Sequence, residues 1–265
     1  MTRIAMIGAG SVEFCQRLVQ DILNHRSLRD AHILLMDVDA DRLKLVHKVM
    51  DNMKEQHELP CTFSATTDRR EALAGADFVV GMIMVGGMEA FKADIQIPLK
   101  YGVDQCVGDT LNPGGIFRGF RHIPALIEIS RDMEELCPDA LFLTQVNPMA
   151  ICCWAVQKTF PHLHIVGLCH GTQNTTELLC KWLDVPEDEC EVQYSGINHM
   201  AWLLKFELGG EDLYPRMWDK LDSEGPIMFE LYRFEMFKAT GYFCTETAGH
   251  TSEYVPYFRH RPELV

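Results

Sequence analysis

Short apolar runs alternate with amphipathic stretches along the chain, a rhythm that predicts strands and helices in turn. Arg3–Ile7 reads as a strand, Gly8, Gly10 and Ser11 follow it, and helical spacing then runs through Ile22. A second strand, Ala31–Met36, ends on Asp37, and Asp41–Gln56 has the spacing of a helix. Farther on, Cys61–Ser64 predicts a strand, Asp68–Leu73 a short helix, and Phe78–Met84 a buried strand entering a glycine turn at Val85–Gly87. Pro124–Leu136 predicts a helix and Ala140–Val146 a strand that ends at Asn147-Pro148. Met149–Val156 then predicts a helix, and Ile165–Leu168 the strand that delivers Cys169. Strand and helix in alternation give the α/β class with a largely parallel sheet.

Two stretches break the rhythm. Gly102–Arg121 has little strand or helix periodicity and reads as a long loop in which Asp109, Arg118 and Arg121 sit among glycines and Asn112-Pro113. Long loops of this kind more often serve a site than a core. Asp109 suits an acid or a hydroxyl-orienting role and Arg118 an anionic or hydroxylated ligand; solvent-facing charge is the other reading of both. Tyr194–Trp202 is an apolar segment interrupted by Asn198-His199.

With 265 residues and 47% apolar composition the chain can bury a large core. Its formal charge of −14 argues against a nucleic-acid footprint. No apolar run approaches the roughly 20 residues that span a bilayer, and no cleavable apolar leader precedes the first strand, a cytoplasmic pattern. The ten cysteines lie at spacings unlike a secreted disulfide scaffold, so reduced thiols are expected.

The opening β-α-β stretch suits a dinucleotide. Gly8, Gly10 and Ser11 would let a pyrophosphate approach a helix N-terminus, while Asp37 would accept hydrogen bonds from an adenosine ribose and favour NAD over NADP. Glu13 stands where the strict fingerprint has its third glycine, so the packing of that helix is expected to differ. A tight strand-to-helix turn with Asp37 as a solvated strand end is the competing reading. Asn147 can donate and accept hydrogen bonds beside a sugar or nicotinamide, or cap the next helix with Pro148 at its first position.

Cys169 and His199 are candidate metal ligands, because thiolate and imidazole together suit a borderline divalent cation. Viewed alone, each reads first as a packed core residue. His170 is adjacent to Cys169, but consecutive strand residues point to opposite faces, so the two need not bind one ion.

GAGS at 8–11, Asn147-Pro148, GLCH at 167–170, GINH at 196–199 and GHTSEY at 249–254 together resemble glycoside hydrolase family 4, especially its α-galactosidase-like branch. The resemblance implies a Rossmann-like NAD-binding domain over residues 1–194. Residues 195–265 would then be the first part of a mixed α+β catalytic domain, apparently truncated at EYVPYFRHRPELV. It implies NAD and a divalent ion, commonly manganese, with Cys169 and His199 at the metal, Asn147 at the substrate and Asp37 at the nucleotide.

The implied reaction oxidises sugar C3, removes the C2 proton, eliminates the C1 substituent, adds water and re-reduces C3, unlike the usual two-carboxylate glycosidase chemistry. Tyr254 falls near the family's tyrosine base, with a phenol pKa lowered by a metal-linked hydroxyl network; Tyr257 competes for the role. Glu253 and His250 would orient the base or bind substrate, and Arg118 would help set selectivity. His170 replaces the aspartate of the phosphoglycosidase branches, which favours unphosphorylated sugars and leaves Asp109 and His170 as candidates for the general acid. An α-galactoside is the leading substrate, with α-glucosides and α-galacturonides as alternatives, and a homo-oligomer is expected when the C-terminal region is present. Outside the family, an NAD-dependent 2-hydroxyacid dehydrogenase and a noncatalytic nucleotide-binding remnant remain open.

Overall fold

The computed structural model describes residues 1–260. In chain order it contains β1 (Arg3–Ile7), α1 (Val12–Asn24), β2 (His32–Met36), α2 (Ala40–Gln56), β3 (Thr62–Thr66), α3 (Arg69–Leu73), β4 (Phe78–Gly81) and α4 (Gly87–Leu99). There follow α5 (Pro113–Leu136), β5 (Leu141–Thr144), α6 (Met149–Thr159), β6 (His164–Gly167) and α7 (Gly171–Leu183). The last elements are β7 (Cys190–Ile197), β8 (Met200–Leu208), β9 (Glu211–Asp212), α8 (Tyr214–Glu224), α9 (Leu231–Thr240), β10 (Phe243–Cys244) and α10 (Ala248–Tyr254).

The chain forms two compact units, one of residues 1–87 and 119–168, the other of residues 88–118 and 169 onward. This grouping differs from a single division after residue 194. A cut there would pass through β7, which pairs with β8 along its whole length, and would detach α7, whose Leu179 and Leu183 belong to the later core.

The first unit is a six-stranded sheet in the order β3-β2-β1-β4-β5-β6, with every neighbouring pair parallel. This is the doubly wound Rossmann order, in which the connection changes direction between β1 and β4. Alternation within β1 explains its two-sided burial. Ala5 and Ile7 join Leu126, Ile129, Met133, Cys152 and Val156 in one core, whereas Ile4 and Met6 join Cys15, Val19, Val46 and Met50 in another. A strand covered on both faces reads as continuously apolar, as RIAMI does.

The second unit contains an antiparallel sheet in the order β10-β8-β7, with β9 pairing to β8. Leu203 and Phe206 of β8 pack with Leu179, Met217, Phe234, Phe237 and Phe243. Arg233 is buried in this unit, and its guanidinium donates to the Cys244 carbonyl and to Thr175 Oγ1 and pairs with Glu230.

One segment differs from expectation. Residues 113–121 are the opening of α5, not loop, and the helix continues past Pro124 to Leu136. Asn112 Oδ1 accepts from the Gly115 amide at 3.0 Å and Pro113 takes the first helical position, so the apparent turn signal is a helix start. Pro124, lacking an N–H, forgoes one intrahelical bond. Tyr194–Trp202, the apolar segment interrupted by Asn198-His199, is a hairpin: Ile197 pairs with Met200 and Asn198-His199 is the two-residue turn. The Val85–Gly87 turn ends where α4 begins.

Candidate functional site

In the first unit, the turn after β1 is pinned to the end of β2. The Gly8 and Ala9 amides both donate to the Met36 carbonyl at 2.9 Å, and the Gly10 amide donates to Asp37 Oδ2 at 2.7 Å. A Cβ at residue 10 would lie 2.6 Å from that oxygen, so only glycine admits the carboxylate so close. Asp37 Oδ1 accepts from the Asp39 amide at 2.9 Å, which leaves a half-buried carboxylate of fixed direction at the carboxyl end of β2. Ser11 occupies the N-cap position of α1 without a side-chain cap. Glu13 points outward and pairs with Arg17 at 2.7 Å, while α1 packs through Cys15, Val19 and Leu23, so the missing third glycine removes no packing contact.

Asn147 follows β5 and is half-buried, joined to Pro148 by a cis peptide bond. Pro148, not Asn147, occupies the N-cap position of α6, so the proline stands one place before the first helical position expected for it.

In the second unit, the turn between β7 and β8 presents His199 with φ at +66°, a backbone region that few residues other than glycine adopt. The ring is 6% exposed, and its Nδ1 lies 2.8 Å from Thr110 Oγ1 and 3.4 Å from Asp109 Oδ1. Cys169, just before α7, donates its thiol to Glu246 Oε1 at 3.3 Å. One ligand atom each from Cys169, His199 and Glu246 lie within 4.8 Å of one another, and the same holds for Asp109, His199 and His250. Neither Glu246 nor the second trio was anticipated: Glu246 is a lone acid in TETAGH, and its only sequence signal is its nearness to the GHTSEY motif.

Protons in this cluster are strongly biased. Burial alone would lower the His199 pKa, but the Asp109 and Cys169 hydrogen bonds and charges outweigh it and raise it to about 10. Burial pushes the Asp109 carboxyl up, yet hydrogen bonds from His199 and Thr110 and the imidazole charges hold it well below the usual carboxylate range. Burial, with the Asp109 charge beside it, pushes the Tyr254 phenol far above its ordinary value. A proton and a divalent ion would compete for the same imidazole, so ion binding here would release a proton.

Two family descriptions match the chain in succession, Family 4 glycosyl hydrolase over residues 3–185 and its C-terminal domain over residues 194–265. The chain belongs to glycosyl hydrolase family 4. It is 40% identical over 266 aligned residues to an α-galactosidase of Rhizobium meliloti and 38% identical over 269 to one of Bacillus subtilis. These alignments take in 99% and 100% of the chain but only 54% and 62% of those relatives, so the chain spans little more than half their length. Among solved structures, a 6-phospho-α-glucosidase from gut microorganisms, in complex with NAD and Mn2+, superposes with a TM-score of 0.85 over 97% of this chain and 61% of that one, at 23% identity.

The other site residues expected in this family 4 chain have the following surroundings. Asp109 is held as an ionised acceptor: Tyr254 Oη donates to its Oδ1 at 2.9 Å and Thr110 Oγ1 at 2.8 Å, an arrangement opposed to a general acid. His170 is exposed at the N-cap position of α7 and stands outside both trios. Tyr254 is hydrogen-bonded within the cluster, but its phenol pKa is raised, not lowered. Tyr257 is 62% exposed.

Glu253 is engaged by the protein's own donors. It accepts from the Cys106, Val107 and Gly108 amides at 2.6, 2.6 and 2.9 Å and from Asn112 Nδ2 at 2.6 Å, which uses both oxygens to hold the 106–112 segment. That clamp fixes Asp109 and Thr110 from behind. Arg118 lies over the Phe91 ring, 5.8 Å from its centroid.

Proposed function

We propose that this chain is part of an NAD- and divalent-metal-dependent glycosidase that cleaves α-galactosides. The observation behind the proposal is the Cys169 and His199 pair, brought together from positions 30 residues apart in a chain related along its whole length to α-galactosidases. The donor set fits a borderline divalent ion: one thiol and one buried imidazole whose other nitrogen is already anchored by Thr110 and Asp109. The nucleotide turn fits NAD, because the Asp37 carboxylate is fixed beside the helix N-terminus where a ribose hydroxyl would donate to it. The solved relative that contains NAD and Mn2+ supports both assignments.

When bound, the dinucleotide would supply a reversible hydride acceptor and the ion Lewis-acid polarisation of sugar oxygens. The residues of the chain then have distinct tasks. Gly8, Gly10, Ser11 and Asp37 bind the nucleotide, and Cys169 with His199 binds the ion. Asp109 and Thr110 orient the imidazole and hold the Tyr254 hydroxyl. Tyr254 is proposed to take the sugar C2 proton in the ion-loaded site, where the cation's charge would offset the burial and the Asp109 charge that keep the phenol protonated in the ion-free chain. Asn147 and Arg118 are proposed substrate contacts. In this scheme residues 1–194 serve the nucleotide and residues from 195 the catalysis, with Asp109 and Cys169 as contributions from the earlier part.

All ten cysteines are unpaired, which suits a reducing cytoplasmic setting in which the Cys169 thiol stays available. Among the described residues no helix is long and apolar enough to cross a membrane. The partner proposed is a small-molecule α-glycoside within a homo-oligomer, with no role for nucleic acid or membrane.

The test is hydrolysis of an α-glycoside panel with NAD, Mn2+ and a thiol reductant, run in heavy water. Expected are a preference for α-galactosides, dependence on both NAD and the ion, and deuterium at C2 of the released sugar. Cleavage that persists after dialysis against chelator and without NAD would overturn the mechanism. Turnover of 2-hydroxyacids in place of glycosides would move the chain to the dehydrogenase reading.

A further inference from the structure

We propose that Glu246 is a third protein ligand of the divalent ion, beside Cys169 and the Nε2 nitrogen of His199. The inference rests on the metal-binding reading of Cys169 and His199 given above and adds a residue to it. Two bonds of roughly 2.0–2.4 Å span at most about 4.8 Å, so three donors within 4.8 Å of one another are within reach of one ion.

The surroundings of Glu246 are built to keep its carboxylate there. A Cβ on Gly171 would fall on the Glu246 carboxyl group, so the first residue of α7 leaves the space that the side chain fills. Glu246 itself has φ at +77°, a strained region for a non-glycine residue that persists where the surrounding contacts impose it. The hydrogen bond from the Cys169 thiol to Glu246 Oε1 shows the two groups already face each other. A cation between the facing sulfur and carboxylate would replace that hydrogen bond with two ligand bonds and leave its remaining positions for sugar hydroxyls or water.

The geometry also separates this trio from the second one. His199 Nδ1 faces Thr110 and Asp109, which leaves Nε2 for the ion. Asp109 already accepts from Tyr254 and Thr110, and His250 Nδ1 lies 3.0 Å from Thr247 Oγ1. Asp109 therefore acts as a positioning residue behind the imidazole, the usual carboxylate–histidine–metal arrangement.

The experiment is a Mn2+ titration of this chain, followed by the electron paramagnetic resonance signal of free Mn2+, with NAD affinity measured in parallel. Glu246→Gln should weaken Mn2+ at least five-fold and leave NAD affinity within two-fold. Gly171→Ala, which keeps Glu246 but displaces its carboxylate, should weaken Mn2+ by a similar factor, and it stands in if Glu246→Gln does not fold. Combining the two should add little to either. A folded Glu246→Gln or Gly171→Ala that weakens Mn2+ less than five-fold, while Cys169→Ser abolishes binding, overturns the Glu246 assignment and leaves the metal reading intact. Unchanged Mn2+ affinity in Cys169→Ser and His199→Ala as well would overturn both.

Discussion

At the nucleotide turn, Gly10 meets Asp37 from 27 positions away, across adjacent strands of one parallel sheet. In the cluster proposed to hold the ion, Cys169 meets Glu246 from 77 positions away and Thr110 meets His199 from 89. The first contact is made inside a single β-α-β unit, so the spacing of strand, helix and strand specifies it. The second depends on a hairpin turn, two helix starts and a clamped segment being placed together, none of which implies the others. A site of the first kind is set by local rules; a site of the second kind depends also on residues such as Thr110 and Glu253, which hold the others in place.

Breaking the cluster is expected to have the largest effect. Cys169→Ser or His199→Ala should lower Mn2+ affinity by about 100-fold or more while NAD affinity stays within two-fold, read by metal titration and dinucleotide fluorescence. The reciprocal change at the turn should be smaller. Asp37→Ala, or Gly10→Ala with its Cβ 2.6 Å from Asp37 Oδ2, should weaken NAD by about 10–100-fold, the value of a hydrogen bond to a charged group, and spare Mn2+. If either variant impairs both ligands alike, the two sites are not independent in the way their construction suggests.

That contrast also decides what the sequence discloses. The apolar runs RIAMI and HILLM, the glycines and the terminal Asp37 are legible because burial on both sheet faces leaves an unbroken hydrophobic signature. Family motifs make Cys169 and His199 conspicuous, yet His199 reads there as part of an apolar segment, and only strand pairing reveals the turn. Glu246 has no periodicity or motif to mark it; its meaning comes from the space at Gly171. Glu253 misleads in the opposite direction, as a charge inside a motif whose four partners are all the protein's own donors.

Glu253 sharpens the comparison further. Glu253→Gln replaces one acceptor oxygen by a donor against amides that also donate, and should cost about 1–3 kcal/mol of stability, read by thermal or urea unfolding. Mn2+ affinity should fall with it, because Asp109 and Thr110 sit on the segment that Glu253 holds, whereas Asp37→Ala should leave Mn2+ affinity unchanged.

The smallest expected effect lies in the first unit and appears with pH. Burial raises the Asp132 carboxyl, but its ion pairs with Arg69 at 2.5 Å and Arg70 at 2.6 Å outweigh that and lower its pKa. A folded-state value below the unfolded one stabilises the protein above the usual carboxylate range, near pH 3.9, and that contribution is lost as pH falls through the lowered value. Unfolding midpoints of the unsubstituted chain and Asp132→Asn should therefore differ at pH 7 and converge toward pH 3. Nucleotide affinity should not follow this change.

Asn112 links a helix start to the clamp around the cluster. Its Oδ1 receives the Gly115 amide and its Nδ2 is given to Glu253, so both ends of one amide are spoken for and its orientation is fixed. Such a position reverses the ordinary sense of similarity between side chains. Aspartate, the closest match in shape and a good helix cap, would set a second carboxylate against Glu253. The mildest substitution by outline is thus the harshest by polarity, and a library built at residue 112 should reject aspartate more strongly than serine, which keeps a cap without the added charge.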